Sequence, residues 1–248
     1  MLKTIISPWV AALALQAILV AVLMAKKIWH RFPIFFLYAA LGFSFNLALF
    51  SIFHSSLFRH WYVSTYWTNE GLGVILGLAV VYEIFNHLFT PYPGLRKLAT
   101  QIFCGAITFL LILGCIVIYA QPLGQQSHIQ AAFLVVEQAV RILEVGLLLF
   151  LFLCASAFGL HWRQYTFGMA LGLGIFVTVE LVALTMRIQF GITANSLFNM
   201  VRSISFNSSL FIWIGYLLAP ELATSASEMP KRAQLEQWNK AVMELIYQ

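Results

Sequence analysis

The chain has 248 residues, of which 61% are hydrophobic and only 9% charged, and its formal net charge is +5. Soluble proteins carry about 25% charged residues, so this composition excludes a fold that exposes most of its surface to water. The positive balance does not mark a nucleic-acid binder, because Lys and Arg occur singly or in pairs and mostly outside the apolar stretches, without a basic run interleaved with aromatics.

A membrane-crossing helix needs about 20 mainly apolar residues. Seven such stretches follow one another at residues 6–25, 33–53, 62–88, 99–120, 130–158, 166–188 and 197–218. The predicted fold class is therefore all-α: a polytopic membrane protein with a seven-transmembrane helix bundle over residues 1–218. The connections TPYPGLRK (90–97) and QPLGQQSH (121–128) are short and carry Pro, Gly and polar residues, which are turn signals. The first stretch reads as a retained span and not as a cleaved leader, because its apolar run is long and leads directly into Lys26 and Lys27.

Orientation follows from the Lys/Arg asymmetry. With the first connection in the cytoplasm, that side collects Lys26, Lys27, Arg31, Arg96, Lys97, Arg163, Lys231, Arg232 and Lys240, against Lys3, Arg59 and Arg187 opposite. The N-terminus is expected outside and the C-terminus inside.

The third stretch carries Tyr66 and Glu70 one helical turn apart near its outer end, and Glu83 and His87 at i, i+4 near its inner end. Glu83 and His87 have two readings. One is a helix end satisfied by water and basic loop residues; the other is a point of cytoplasmic coupling or proton release. The same stretch holds a GxxxG pattern, Gly73 to Gly77, and the sixth holds another, Gly168 to Gly172. Such glycines allow close helix packing, either inside the bundle or at a homodimer face.

In the fifth stretch Glu137, Arg141 and Glu144 stand at i, i+4 and i+7, which places three ionisable groups on one helix face. The sixth adds Glu180. The seventh adds Arg202 within a polar stripe that also includes Asn199, Ser205, Ser209, Trp213 and Tyr216. A charged group in hydrocarbon costs about 2.5–3.5 kcal/mol on insertion scales, so Glu70, Glu137, Arg141, Glu144, Glu180 and Arg202 must be paired, hydrated or used. Counted by depth, four helices offer ionisable groups to one layer in the outer half of the bundle, with Arg141 near the midplane and Glu144 just beyond it, and these would line a polar, outward-facing pocket. Four acids face two guanidinium groups, which leaves acid to receive a small-molecule or cation ligand, or a proton. Structural pairing alone is the competing reading.

Several chemistries find no footing. No lysine lies in stretches three to seven to carry a retinal Schiff base, and the six histidines form neither HxxxH nor HExxH. No GxSxG occurs, aspartate is absent, and Cys104, Cys115 and Cys154 show no ligand spacing. No catalytic residue, cofactor or metal site is therefore expected, and the chain is not read as an enzyme. Residues 219–248 form a cytoplasmic linker and an amphipathic helix with Leu235, Trp238, Val242 and Leu245 on one face, suited to the membrane surface or to a signalling partner at residues 230–248.

The segment YWTNEGLGVILGLAVVYEIFNHLFTPYPGLRKL, together with EQAVRILEVGLLLFLFL, resembles uncharacterised bacterial seven-helix integral membrane proteins. The layout also resembles the seven-helix sensor regions that precede some histidine kinases. The resemblance implies a bacterial inner (plasma) membrane location and supplies no site residues. The expected function is that of a sensory, receptor-like module, with a small proton- or cation-coupled transporter as the alternative.

Overall fold

The computed structural model describes residues 2–54, 59–90, 93–120, 126–157, 164–190 and 195–219. Among these residues there are seven α-helices and no strand: α1 (Leu2–Ala25), α2 (Pro33–His54), α3 (Tyr62–Leu88), α4 (Pro93–Ala120), α5 (Gln126–Ala157), α6 (Gln164–Phe190) and α7 (Asn195–Leu218). The linker and amphipathic helix expected over 219–248, and with them the partner site at 230–248, lie outside the described residues beyond Ala219.

Helices outrun the apolar stretches read from sequence, most clearly in α4, which begins at Pro93 and not near residue 99. Apolarity marks only the part suited to hydrocarbon, whereas backbone hydrogen bonding continues through polar turns at the helix ends. Four helical segments are long and apolar enough to cross a membrane: Pro33–His54, Tyr62–Leu88, Val136–Ser156 and Gln164–Met186. Trp9–Ala25 and Thr100–Phe109 are shorter apolar stretches. The chain is an α-helical integral membrane protein.

The outer surface agrees with that assignment. Ile75, Leu153 and Phe211 are each more than 60% exposed, and α4 turns Ile107, Phe109, Ile112 and Ile116 outward. A surface this apolar on several helices would be untenable in water and suits lipid.

Helix α3 is central and packs against α2, α4, α5 and α6, while α1 joins α2 to α7 and α7 lies along α6. Among the described residues α3 and α7 do not pack backbone to backbone. The space they leave is filled by side chains of two kinds, segregated along the bundle. Toward one end lies the apolar core, built from Phe32, Phe35, Phe85, Leu151, Leu173 and Trp213. Trp213 is fully buried there, with its ring edge-on to Phe35 at 5.2 Å and its Nε1–H donated to the Met169 carbonyl at 3.2 Å. Toward the other end lie the ionisable residues of α3, α5, α6 and α7.

Two charged side chains close helix ends on neighbouring helices at the Trp213 end. Helix α2 begins at Pro33, which has no N–H, and Phe32 before it has no capping oxygen. Glu83 of α3 supplies the cap: its Oε1 accepts from Ile34 N–H at 3.0 Å and its Oε2 from Phe35 N–H at 2.8 Å. At the opposite pole of a helix dipole, Lys26 Nζ donates to the Leu217 carbonyl at 2.6 Å, at the C-terminus of α7. Lys27 turns the chain out of α1 in the left-handed region, with φ 55°. The sign of each charge matches the helix end that it meets.

Glu83→Ala removes both acceptors and leaves the Ile34 and Phe35 amides unpaired. It should lower stability by about 1–3 kcal/mol, with a smaller loss for Glu83→Gln, which keeps one acceptor oxygen. Thermal melting of the purified variants in detergent measures this; a Glu83→Ala protein that melts with the parent would remove Glu83 from the architecture of α2.

Candidate functional site

Four helices bring five of the sequence-predicted ionisable residues to the end of the bundle opposite Trp213, and a sixth, Glu144, lies one turn from Arg141 toward the apolar core. The centre of the site is Arg202. Its Nη2 donates to both oxygens of Glu70, at 2.8 and 2.7 Å, and its Nε donates to Glu180 Oε1 at 2.6 Å. One guanidinium thus ties α7 to α3 and α6, and it crosses the gap that the backbones of α3 and α7 leave open. The planar fork of arginine makes this possible, since a lysine would offer one point charge to two carboxylates held at different angles. Tyr66, one turn from Glu70 on α3, adds a hydroxyl hydrogen bond to Glu70.

Glu137 of α5 reaches the same centre. One carboxylate oxygen each from Glu70, Glu137 and Glu180 lie within 4.8 Å of one another. Glu137 is buried, and among the described residues no hydrogen bond or ion pair reaches it. Its helical neighbour Arg141 does not turn to it but to Glu144, through an Nη1 to Oε2 contact of 2.9 Å. The stripe expected to form one network on α5 is therefore divided: Arg141 and Glu144 pair with each other, and Glu137 joins the residues of α3 and α6. Spacing at i+3 suits a direct pair as well as spacing at i+4, so the sequence did not decide between the two acids.

The Arg141–Glu144 pair is the most deeply buried, with side chains 5% and 0% exposed. The guanidinium lies 5.8 Å from the centre of the Phe176 ring, which provides a cation–π face. Glu144 is admitted by Gly77 of α3, where an added Cβ would run into Glu144 Oε1. Gly77 thus serves the charged network, whereas Gly73 of the same GxxxG pattern has nothing within 4 Å. In the second pattern Gly168 and Gly172 seat Tyr216 and Trp213 of α7, so both pack within the chain.

Buried polar atoms without a partner concentrate here. Arg141 Nε, Glu144 Oε1, Glu180 Oε2 and Ser205 Oγ are all of this kind among the described residues. Such orphans carry a cost in a protein interior and mark places where a further donor, acceptor or ion belongs.

The remaining sequence-predicted residues are placed elsewhere. Asn199 is exposed on α7, outside the cluster, and the stripe beyond Ser205 turns to packing: Ser209 bonds its own helix at Ser205, Trp213 enters the apolar core and Tyr216 lies against Phe167. Glu83 caps α2, as described above. His87 Nδ1 lies 2.9 Å from the Glu83 backbone carbonyl, which can only accept, and the ring stacks on Phe32 at 4.3 Å, so the two residues form no pair through their side chains. Sequence reasoning read Gly77 only as a helix-packing or dimer glycine, and it passed over Tyr38 of α2, which lies within electrostatic reach of Arg141, Glu144, Glu180 and Glu70. A signal for the Glu83 cap was present: Pro33 starts a helix with no capping residue before it, so an acid had to come from a neighbour.

Removing Arg141 leaves Glu144 buried without its counter-charge. Arg141→Met should therefore cost about 3–5 kcal/mol, more than Glu137→Gln, which removes an acid that has no ion-pair partner. Melting of the two purified variants beside the parent measures the difference, and an Arg141→Met protein as stable as Glu137→Gln would deny the pair its structural weight. Comparisons with known protein families, with curated proteins and with solved structures find no match to the chain, so the chemistry of the site itself carries the functional reading.

Proposed function

We propose that the protein is a sensory, receptor-like membrane module whose buried carboxylate cluster, Glu70, Glu137 and Glu180 around Arg202, takes up a proton or a cation and thereby alters the packing of α3, α5, α6 and α7. The observation that carries this reading is Glu137, a buried acid aimed at two other carboxylates whose single guanidinium is already shared between them. A cluster built only for stability would balance its charges, because every uncompensated one is costly in an apolar interior.

The reading includes seven spans, an outer N-terminus and a cytoplasmic C-terminus in a bacterial inner membrane. The Lys/Arg asymmetry supports that orientation, and on it the Arg202 end of the bundle faces outward. A response at the cluster would then pass to a cytoplasmic partner through residues 230–248. The glycines at 168 and 172 are occupied within the chain, which leaves the Gly73 side of α3 as the place for a homodimer contact.

The second reading is a small proton- or cation-coupled transporter that uses the same acids. The apolar core favours the receptor, since Trp213, Phe35 and Leu151 fill the half of the bundle that a transported ion would have to traverse. The cap from Glu83 to α2 and the cap from Lys26 to α7 fasten that half further. A transporter must open the site to each side in turn.

Reconstitution separates the two. In the parent, melting of the protein in lipid nanodiscs should vary with pH, and Glu137→Gln should melt at a similar temperature but lose that variation, since an amide takes up no proton. Proteoliposomes with an imposed proton or sodium gradient should show no flux above protein-free vesicles. Flux that disappears in Glu137→Gln would establish the transporter instead, and a pH response unchanged in Glu137→Gln would take the cluster out of the mechanism.

A further inference from the structure

The cluster invites a more specific assignment of its ligand, one that rests on the proposed role of the site. We propose that Glu70, Glu137 and Glu180 form a binding site for a hard divalent cation of about the size of calcium, in which Arg202 is a tethered cation that the ion displaces from shared oxygens. Each of the three residues presents a carboxylate oxygen, and these oxygens lie within 4.8 Å of one another. Three oxygens spaced evenly around a calcium ion stand about 4.0–4.5 Å apart, because calcium binds them at about 2.3–2.6 Å. Magnesium needs a tighter and more regular shell, at about 2.0–2.1 Å. With no His or Cys in the set, the donors select hard cations over zinc or copper.

Proximity of acids alone does not make a site, since carboxylates also gather around arginines as structural pairs. Two further observations point to a ligand. Glu137 is 7% exposed and no described residue pairs with it, yet its carboxylate is aimed into the group. Glu180 is held by Arg202 through Oε1 only, and its Oε2 is buried with no partner among the described residues. Both are acceptors directed where a cation would complete them. With all three acids ionised, one guanidinium leaves two negative charges uncompensated, which a divalent ion supplies.

Arg202 is the member with freedom to move. Its side chain is 30% exposed, while those of Glu70 and Glu180 are 10% and 6% exposed. It engages two of the three carboxylates that the ion would use, so ion and guanidinium compete for Glu70 and Glu180. An ion drawing these oxygens together with Glu137 would loosen the tie from α7 to α3, the two helices that lack backbone packing. Binding would thus be converted into a change in the position of α7.

Manganese is the probe for the test, because its electron paramagnetic resonance signal broadens when the aquo ion is bound. Full-length protein in detergent should bind one equivalent of Mn²⁺, with Ca²⁺ displacing it at lower concentration than Mg²⁺. Glu137→Gln should lose this binding while its melting temperature stays near that of the parent. Arg202→Gln should bind Mn²⁺ roughly tenfold or more tightly, because a neighbouring like charge is removed, and Arg202→Lys, included in case the glutamine variant fails to fold, should bind no more tightly than the parent. A spectrum of free aquo Mn²⁺ in both parent and Arg202→Lys, or equal binding by parent and Glu137→Gln, overturns the metal site. Loss of the metal site with a pH response that still depends on Glu137 would leave a proton as the ligand and the sensory reading intact.

Discussion

The interaction on which this bundle turns is the guanidinium of Arg202 held between Glu70 and Glu180. Helices inside a membrane gain little from hiding apolar surface, since lipid is as apolar as their side chains; association rests on close packing and on polar contacts that lipid cannot satisfy. Here the two devices are used at different ends. Close packing, with glycines 168 and 172 seating Tyr216 and Trp213, joins α6 to α7. The connection from α7 to α3 has no such packing and passes through Arg202. Charge therefore does at this position what side-chain interdigitation does elsewhere, and on the proposed reading this is what makes the position sensitive to another cation.

The segregation of the interior gives that sensitivity a direction. The end that contains Trp213 is apolar, aromatic and fastened by charges that cap neighbouring helices, Glu83 on α2 and Lys26 on α7. The opposite end holds acids in excess and several polar atoms without partners. Stability is concentrated in the first half and unsatisfied chemistry in the second, the division expected when one part of a bundle is scaffold and another responds. Between them lies the buried pair of Arg141 and Glu144, admitted by Gly77 and covered by Phe176. That pair separates the open chemistry at Glu137 from the apolar core.

Much of this was legible in the residues. Long apolar stretches announced the helices because the bilayer imposes a length, and the cost of charge in hydrocarbon singled out Glu70, Glu137, Arg141, Glu144, Glu180 and Arg202 before any coordinates. Counting residues from the helix ends placed four helices' charges at similar depths, and Glu70, Glu137, Glu180 and Arg202 do meet. The pairing was not legible. On α5 both Glu137 and Glu144 are within reach of Arg141, and the choice between them depends on which neighbouring helix makes room, a fact recorded in Gly77 on α3. Asn199 shares a helical stripe with Arg202, yet it is exposed, because a periodicity of side chains states a face and not what covers it. Glu83 was open to a coupling role because its partners are backbone amides of another helix, signalled only indirectly by the uncapped start of α2 at Pro33.

If Arg202 and Glu70 are energetically one unit, the tie from α7 to α3 depends on them together. A double-mutant cycle in lipid nanodiscs measures this, with Arg202→Gln, Glu70→Gln and the two combined, each read by unfolding free energy. Strong coupling is expected: the double variant loses clearly less than the sum of the single losses, by more than about 1 kcal/mol, because each substitution already breaks the same contact. Losses that simply add would contradict this, leaving Arg202 and Glu70 as neighbours with no shared role.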